Sequence, residues 1–293
     1  MPRRRLIVTA DDVGLHAGMT EGAIRAHREG IVTACSVVAN GVAFEDAVAR
    51  LRDVPSLEVG VHLALVEERS LTGLRMPRKY TTFAPLYLAR VISIRAIERE
   101  LRAQIERVLA TGLRVTHLNG HQHLHLLPRI FAVVARLARE FAIPYVRIVD
   151  DHGGSQRALS MSALSFLGRR AHASFTHDRT IGVSIAGHLD DVTPLLDHVE
   201  GVTELVTHPG VNVSGYAWGY AWDAETRALC DPRLREELAK REIELVTHPG
   251  IGVSGYAWGY DWDRETRALC DPRLREHLVT RGIALVTPSR VSL

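Results

Sequence analysis

Carboxylates and imidazoles follow several strand-like apolar runs of this 293-residue chain. Asp11 and Asp12 come directly after an apolar run near the N terminus, and His121, His123 and His125 stand at alternate positions after another. One Asp and two His can hold a divalent ion, and a spare Asp and a spare His remain for proton transfer. These residue types are those of a mononuclear metal hydrolase.

The two adjacent carboxylates need an explanation, because neighbouring negative charges repel unless a cation or a shared proton relieves them. Successive strand residues point to opposite faces, but a turn at the strand end can bring Asp11 and Asp12 to one side. We expect one of them to bind the metal and the other to act as general base. The alternative is that the pair caps the following helix, where Asp is favoured.

The histidines offer more ligands than one ion needs. His62 lies within an apolar run, where a lone His is more often a core residue, but the other candidates favour a metal ligand. If the strand before His121 continues through this run, all three histidines face one side of the sheet. If the strand ends near Gly120, only His121 reaches the edge of the sheet. His123 and His125 would then contact the substrate or support the ligands. The alternative is a chance surface cluster.

A histidine in a His-Pro-Gly motif completes the set. His208 follows an apolar run, and an imidazole at a strand end is a suitable proton donor near neutral pH. The motif recurs at His248, and only one of the two can occupy the site. The aromatic loop after His208 carries Tyr216 and Trp218, which would stack on a sugar ring or contact a lipid; the alternative is ordinary loop packing.

The elements that position these residues alternate along the chain. Strand-like runs lie at Leu6–Ala10, Thr33–Ala39, Leu57–Leu63, Val115–Leu118, Tyr145–Val149, Ile181–Ile185 and Glu204–Thr207. Helical patterns lie at Glu21–Arg28, Phe44–Leu51, Ile94–Leu109, Pro128–Phe141 and Val192–Val199. This alternation predicts an α/β fold with a mostly parallel sheet. Because the polar candidates follow strands, we favour a (β/α) barrel over an open sheet. Val66–Ile92 is predicted to be a long loop over the site or a surface insertion.

The C-terminal region is a tandem duplication. Glu204–Ile243 and Glu244–Ile283 align without gaps and agree at 32 of 40 positions. Two copies are too few for a solenoid. Each copy is expected to form a strand, the His-Pro-Gly turn, the aromatic loop and one helix, which ends near Arg241 in the first copy. We therefore expect residues 1–243 to form the barrel domain and 244–293 to add the duplicated β–α unit with a closing or extra strand; the last strand is expected at 283–287.

Composition excludes several classes of protein. With 36 basic and 34 acidic residues, the net charge of +2 does not favour a nucleic-acid partner. We expect no signal peptide and no integral membrane segment, because no apolar run approaches the roughly 18 to 20 residues of a membrane helix. Three cysteines imply no disulfide framework, so a cytoplasmic location is expected. A homodimer is the candidate assembly.

Motifs across nearly the whole chain resemble the YdjC-like carbohydrate deacetylases. They are T-A-D-D-V-G-L-H at Thr9–His16, G-I-V-T-A at Gly30–Ala34, G-V-H-L at Gly60–Leu63, T-H-L-N-G-H-Q-H-L-H-L-L-P at Thr116–Pro128, and the H-P-G turn. The resemblance implies a distorted (β/α) barrel that removes acetyl groups from N-acetylated sugars with one divalent ion, Mg or Zn.

The resemblance also assigns roles. Asp12, His62 and His121 match the metal ligands, Asp11 the catalytic base, and His208 the histidine of the late H-P motif. Asn119 stands where many members have Asp. With the aromatic loop, it resembles the hopanoid-biosynthesis branch, which implies a glycolipid substrate. Asn119, His123, His125, Tyr216 and Trp218 are the expected substrate contacts. The duplication departs from the family pattern, which has one such unit.

Two other functions fit parts of the pattern. Two His and one carboxylate also suit non-haem Fe(II) enzymes, although ligands on separate strands and a spare Asp favour hydrolysis. A non-catalytic sugar-binding protein, disabled by the duplication, is the second alternative.

Overall fold

The computed structural model describes residues 4–149, 162–166 and 179–248. A curled parallel sheet forms the centre of this described part. The strands are β1 (Arg4–Val13), β2 (Ala34–Val37), β3 (Glu58–Leu63), β4 (Val115–Gly120), β5 (Tyr145–Val146), β6 (Arg179–Ile181), β7 (Val202–Thr207) and β8 (Ile243–Leu245). Their order is β5-β4-β3-β2-β1-β7-β6, with β8 also paired to β1, and every ladder between them is parallel.

Helices connect the strands and cover the sheet. They are α1 (Ala17–Arg28), α2 (Phe44–Leu51), α3 (Tyr80–Leu88), α4 (Ile94–Leu109), α5 (Pro128–Glu140), α6 (Thr193–Leu196), α7 (Trp222–Leu229) and α8 (Arg233–Lys240). The first strand is buried along Leu6–Val13, as expected for a parallel strand covered on both faces. The predicted distorted (β/α) barrel of parallel strands is confirmed as the fold class.

The bounds of most helices and strands lie within a few residues of those predicted from the sequence. The bounds of α2 and α4 are those predicted. Helix α1 begins earlier, at Ala17, because the His16 side chain accepts a hydrogen bond from the Gly18 amide and caps the helix. The strand predicted at Ile181–Ile185 is displaced: β6 ends at Ile181, since Gly182 takes a left-handed conformation (φ 91°) and starts a 3-10 turn.

Two further expectations about elements were wrong. The predicted loop Val66–Ile92 contains helix α3, which buries Phe83 and Tyr87. Pro85 and the paired threonines hid it, since these residues disfavour helix interiors. The single helix expected to end near Arg241 is two helices, α7 and α8, because Pro232 interrupts the pattern after Cys230.

The junction between the two repeats forms β8, which takes its first residue from the first repeat. Ile243, Glu244 and Leu245 pair with the first residues of β1, whereas β2 pairs with β1 from Thr9 onward. Because β7 occupies the other edge of β1, β8 and β2 share one edge. The rest of the second repeat and the final strand expected at 283–287 lie outside the described residues. Within the described part, no helix is long and apolar enough to cross a membrane.

Candidate active site

An irregularity in β1 turns both aspartates inward. The ladder between β1 and β2 shifts register between Ala10 and Val13, and Asp12 has a left-handed backbone (φ 65°). A regular strand would point adjacent side chains to opposite faces. Here Asp11 and Asp12 are 2% and 3% exposed. The backbone strain at Asp12 places two carboxylates in one cavity at the carboxyl edge of the sheet.

Asp12, His62 and His121 form a compact donor cluster. One ligand atom from each lies within 4.8 Å of the others, and all three side chains are buried. The Asp12 Oδ1 atom is 3.2 Å from His62 Nε2 and 3.0 Å from His121 Nδ1. His62 Nδ1 donates to the Asn119 side-chain oxygen at 2.7 Å, which leaves Nε2 free to face the cluster.

The charges of this cluster fit a cation. Burial alone would lower the pKa of His121, but the Asp12 and Glu67 carboxylates raise it to about 10. Burial would likewise raise the pKa of Asp12, but His121 and His62 hold it well below its usual range. The raised pKa of His121 shows that the Asp12 and Glu67 carboxylates create a negative potential in this cavity. Two imidazoles and a buried carboxylate in such a potential are a donor set that fits one divalent ion.

Asp11 belongs to a second, fully buried network. Arg147 donates to both Asp11 oxygens and to Glu204, and Ser36 and Asn119 donate to Asp11 Oδ1 at 2.8 and 3.0 Å. Burial would raise the pKa of Asp11, but the guanidinium of Arg147 outweighs it and lowers that pKa. Asp11 is therefore an ionised carboxylate beside the donor cluster rather than part of it.

Sequence reasoning missed Arg147 and Glu204. Both are 0% exposed, although each lies inside a run that was assigned as an apolar strand. A charged residue within an otherwise apolar strand is costly unless it is paired in the interior. A charged residue in such a run therefore indicates a buried ion pair, but the sequence does not indicate which residues form the pair.

His208 lies at the same cavity, at the end of β7. Its Nε2 is 4.0 Å from Asp12 Oδ2. Burial lowers the pKa of His208 in spite of the nearby aspartates. Helix α7 holds the turn: the His208 amide donates to the Glu225 carboxyl, and the Gly210 amide donates to the Thr226 hydroxyl at 2.8 Å. Glu225 was not identified from the sequence.

The second motif histidine lies elsewhere. His248 is buried with its Nδ1 3.3 Å from Glu58 and its Nε2 3.6 Å from Glu204. Its ring stacks on His117 with centroids 3.8 Å apart. The structure thus brings His208, and not His248, beside Asp12.

The three histidines after β4 separate because the strand ends at Gly120. The chain then turns, with left-handed conformations at Gln122 and His123. His121 and His123 line the cavity. His125 turns away and is buried, with its Nε2 3.0 Å from the Arg147 carbonyl oxygen. In this arrangement His125 supports the wall behind the cavity and has no exposed face for a substrate.

The other expected substrate contacts differ in position. Asn119 is buried between Asp11 and His62, where it orients both. Trp218 lies at the edge of the site: its ring centroid is 5.4 Å from that of His121, and its Nε1 donates to Glu67 at 3.1 Å. Tyr216 is half-buried and donates to the Leu15 carbonyl, which fixes the loop. The nearby Tyr220, with its ring 5.3 Å from that of His208, also lines the cavity.

Fold and site together define an α/β-barrel protein with a candidate single-metal centre at the carboxyl edge of its strands. The chain belongs to the family of YdjC-like proteins, whose model matches residues 5–240. It is 31% identical over 247 residues to a carbohydrate deacetylase of Brevibacillus brevis, covering 82% of this chain and 96% of the relative. A carbohydrate deacetylase of Geobacillus stearothermophilus is also 31% identical, with coverage of 83% and 96%.

A solved structure shares the fold. It is that of a candidate cellobiose-phosphate cleavage protein from Enterococcus faecalis V583, with a TM-score of 0.64 and 23% identity. The match covers 84% of this chain and 98% of that protein. The agreement supports the barrel architecture.

Proposed function

We propose that this protein is a metal-dependent N-deacetylase that hydrolyses the acetamide of an N-acetylated sugar. The supporting observation is the ionised Asp11 held beside the Asp12, His62 and His121 cluster in one cavity. The carbohydrate deacetylases among its relatives support the same class of substrate. Asp12, His62 and His121 would hold one Mg or Zn ion.

The side chains divide the work of hydrolysis. When bound, the ion supplies Lewis acidity toward water and toward the amide carbonyl. Asp11 accepts a proton from the attacking water. Arg147 donates hydrogen bonds to Asp11 and so fixes the orientation of its carboxylate. His208 gives a proton to the leaving amine. The His208 Nε2 atom is 4.0 Å from Asp12 Oδ2, in the same cavity as Asp11.

Among N-acetylated sugars, we propose a glycolipid as the substrate, and hopanoid-linked N-acetylglucosamine is the specific candidate. The support is the resemblance of Asn119 and the aromatic loop to the hopanoid-biosynthesis branch. Trp218 lies at the edge of the cavity, and we expect it to contact a sugar ring or its aglycone. Chitooligosaccharides are the competing substrates.

Product analysis tests this proposal. The purified protein is incubated with an N-acetylglucosaminyl lipid or with diacetylchitobiose, each with added Mg or Zn, and free acetate and amine are measured. Release from the lipid alone supports the glycolipid assignment, and release from chitobiose alone overturns it. Sugar binding without turnover at saturating metal would instead indicate the non-catalytic alternative. A requirement for oxygen and Fe(II) would indicate the oxygenase alternative.

Metal content tests the ligand set separately. Replacing Asp12, His62 or His121 by Ala should each lower bound metal sharply, because a three-ligand site loses much of its affinity with one ligand. His208→Ala is the matched control, since it removes an imidazole from the same cavity and should keep the ion. Full occupancy in all three ligand variants would show that the ion binds elsewhere.

A further inference from the structure

One segment of the surface concentrates positive charge. Residues 69–97, called here the basic segment, contain six basic residues and no acidic residue, although the whole chain has a net charge of only +2. All six are exposed. They are Arg69, Arg75, Arg78, Lys79, Arg90 and Arg95.

These charges are largely unneutralised. Among the described residues, no acidic side chain lies within ion-pair distance of Arg75, Arg78, Lys79, Arg90 or Arg95, whereas many other surface arginines are paired, as Arg102 is with Glu140. The basic segment therefore presents its positive potential to solvent, where it attracts anionic groups.

The same segment exposes apolar side chains. Of the six exposed large hydrophobic residues in the described part of the chain, four lie here. Leu88 and Val91 are 73% and 70% exposed, and Tyr80 and Leu71 are 45% and 36% exposed. Exposed apolar side chains grouped beside cations indicate a surface that meets a partner rather than water alone.

The basic segment is held in a defined conformation. On the buried side of α3, the rings of Phe83 and Tyr87 stack with centroids 6.0 Å apart. The Glu100 carboxylate accepts the amides of Leu71 and Thr72. The buried Phe83 and Tyr87 fix which side of α3 packs on the core, so the exposure of Leu88 on another side is a feature of the fold.

We propose that the basic segment docks on the surface of a membrane that contains anionic lipids. The arginines and Lys79 bind the phosphates, and Leu88 and Val91 enter the interface between headgroups and acyl chains. A soluble polyanion would satisfy the charges but would leave these two side chains in water. The segment begins two residues after Glu67, whose carboxylate is 3.3 Å from His121, so it starts at the edge of the candidate site.

Vesicle co-sedimentation tests the charge requirement without using catalysis. The full-length protein should bind phosphatidylcholine vesicles containing phosphatidylglycerol, bind pure phosphatidylcholine vesicles weakly, and lose affinity at high salt. Arg78→Glu/Lys79→Glu should weaken binding at least about 30-fold, since each basic residue near a charged surface contributes about 1 kcal/mol, which is about fivefold in affinity. The control Arg28→Glu/Arg227→Glu reverses two exposed arginines on α1 and α7 and should bind like the original protein.

A second pair of variants separates a membrane from a soluble polyanion. Leu88→Ser/Val91→Ser keeps every charge and should weaken vesicle binding by at least about fivefold, with no change in binding to a DNA duplex used as the polyanion. Equal vesicle binding by this variant, or equal loss in the Arg28/Arg227 control, overturns the proposal. Thermal unfolding confirms that each variant is folded, and Arg75→Gln/Arg90→Gln replaces the first pair if it is not.

Discussion

At the scale of single residues, the environment of Asp11 decides what it can do. Arg147 is fully buried and joins Asp11 to Glu204, so one cation serves two carboxylates. Because Arg147 lowers the pKa of Asp11, the carboxylate is ionised at neutral pH and able to accept a proton. Asp12, its neighbour in sequence, faces two imidazoles instead. The two adjacent aspartates thus have different roles because their hydrogen-bonding partners differ.

Replacing Asp11 by Asn should leave metal binding intact and lower turnover on the order of 10²–10⁴-fold, because a general base contributes about that much. Metal content and steady-state rates on the same preparation measure both effects. Asp12→Asn is the matched control and should lose the ion. If Asp11→Asn keeps nearly full activity, Asp11 only orients its neighbours.

At the scale of elements, helix α7 holds the turn that carries His208. Glu225 accepts the His208 amide and Thr226 accepts the Gly210 amide, so two consecutive residues of one helix fix the His-Pro-Gly turn. Glu225 is 1% exposed, and burial raises its pKa to about 8. The helix therefore carries a protonated carboxyl beneath the candidate site.

This raised pKa makes stability depend on pH. An unfolded Glu ionises near pH 4.5, whereas folded Glu225 keeps its proton until about pH 8. The free energy of unfolding should therefore fall as pH rises through this window, by at most about 1.4 kcal/mol per pH unit. Glu225→Gln cannot ionise, so its stability relative to the original protein should increase with pH, as measured by denaturant unfolding at several pH values.

The same substitution tests the positioning of His208. Glutamine still offers an oxygen to the His208 amide, so Glu225→Gln should keep its activity, whereas Glu225→Ala should lose part of it. Equal activity of both variants would show that the hydrogen bond does not position the turn. A pH-independent stability difference would show that Glu225 is ionised in the folded protein.

At the scale of the whole molecule, the histidines of the two His-Pro-Gly motifs lie in different places. His208 lies beside Asp12, whereas His248 lies against Glu58, Glu204 and His117. His208→Ala should lower turnover about 10²–10⁴-fold at saturating metal. His248→Ala should keep its rate and lose on the order of 1–3 kcal/mol of stability. Loss of activity only in His248→Ala would reverse the assignment, and partial loss in both would mean that the copies exchange.

The duplication also predicts the result of a deletion. Removing residues 244–283 joins Ile243 to Ala284-Leu285. The sequence of β8 would then be Ile-Ala-Leu instead of Ile-Glu-Leu. The variant should fold and keep most of its activity, because His208 and the helix that holds it remain. Circular dichroism, metal content and acetate release measure this. Loss of the ion would show that the second copy contributes to the site.

The sequence by itself determined the class of fold and the residue types of the site. Alternating apolar runs specify parallel β–α units through local periodicity, and the acids and histidines at strand ends mark the functional edge of the sheet. Tertiary structure decided which of them meet. The bulge at Asp12, the turn that separates His121 from His125, and the buried Arg147 and Glu204 pair all depend on contacts between residues far apart in sequence. Such contacts leave no periodic signal, and identical motifs such as those at His208 and His248 differ only in where the fold places them.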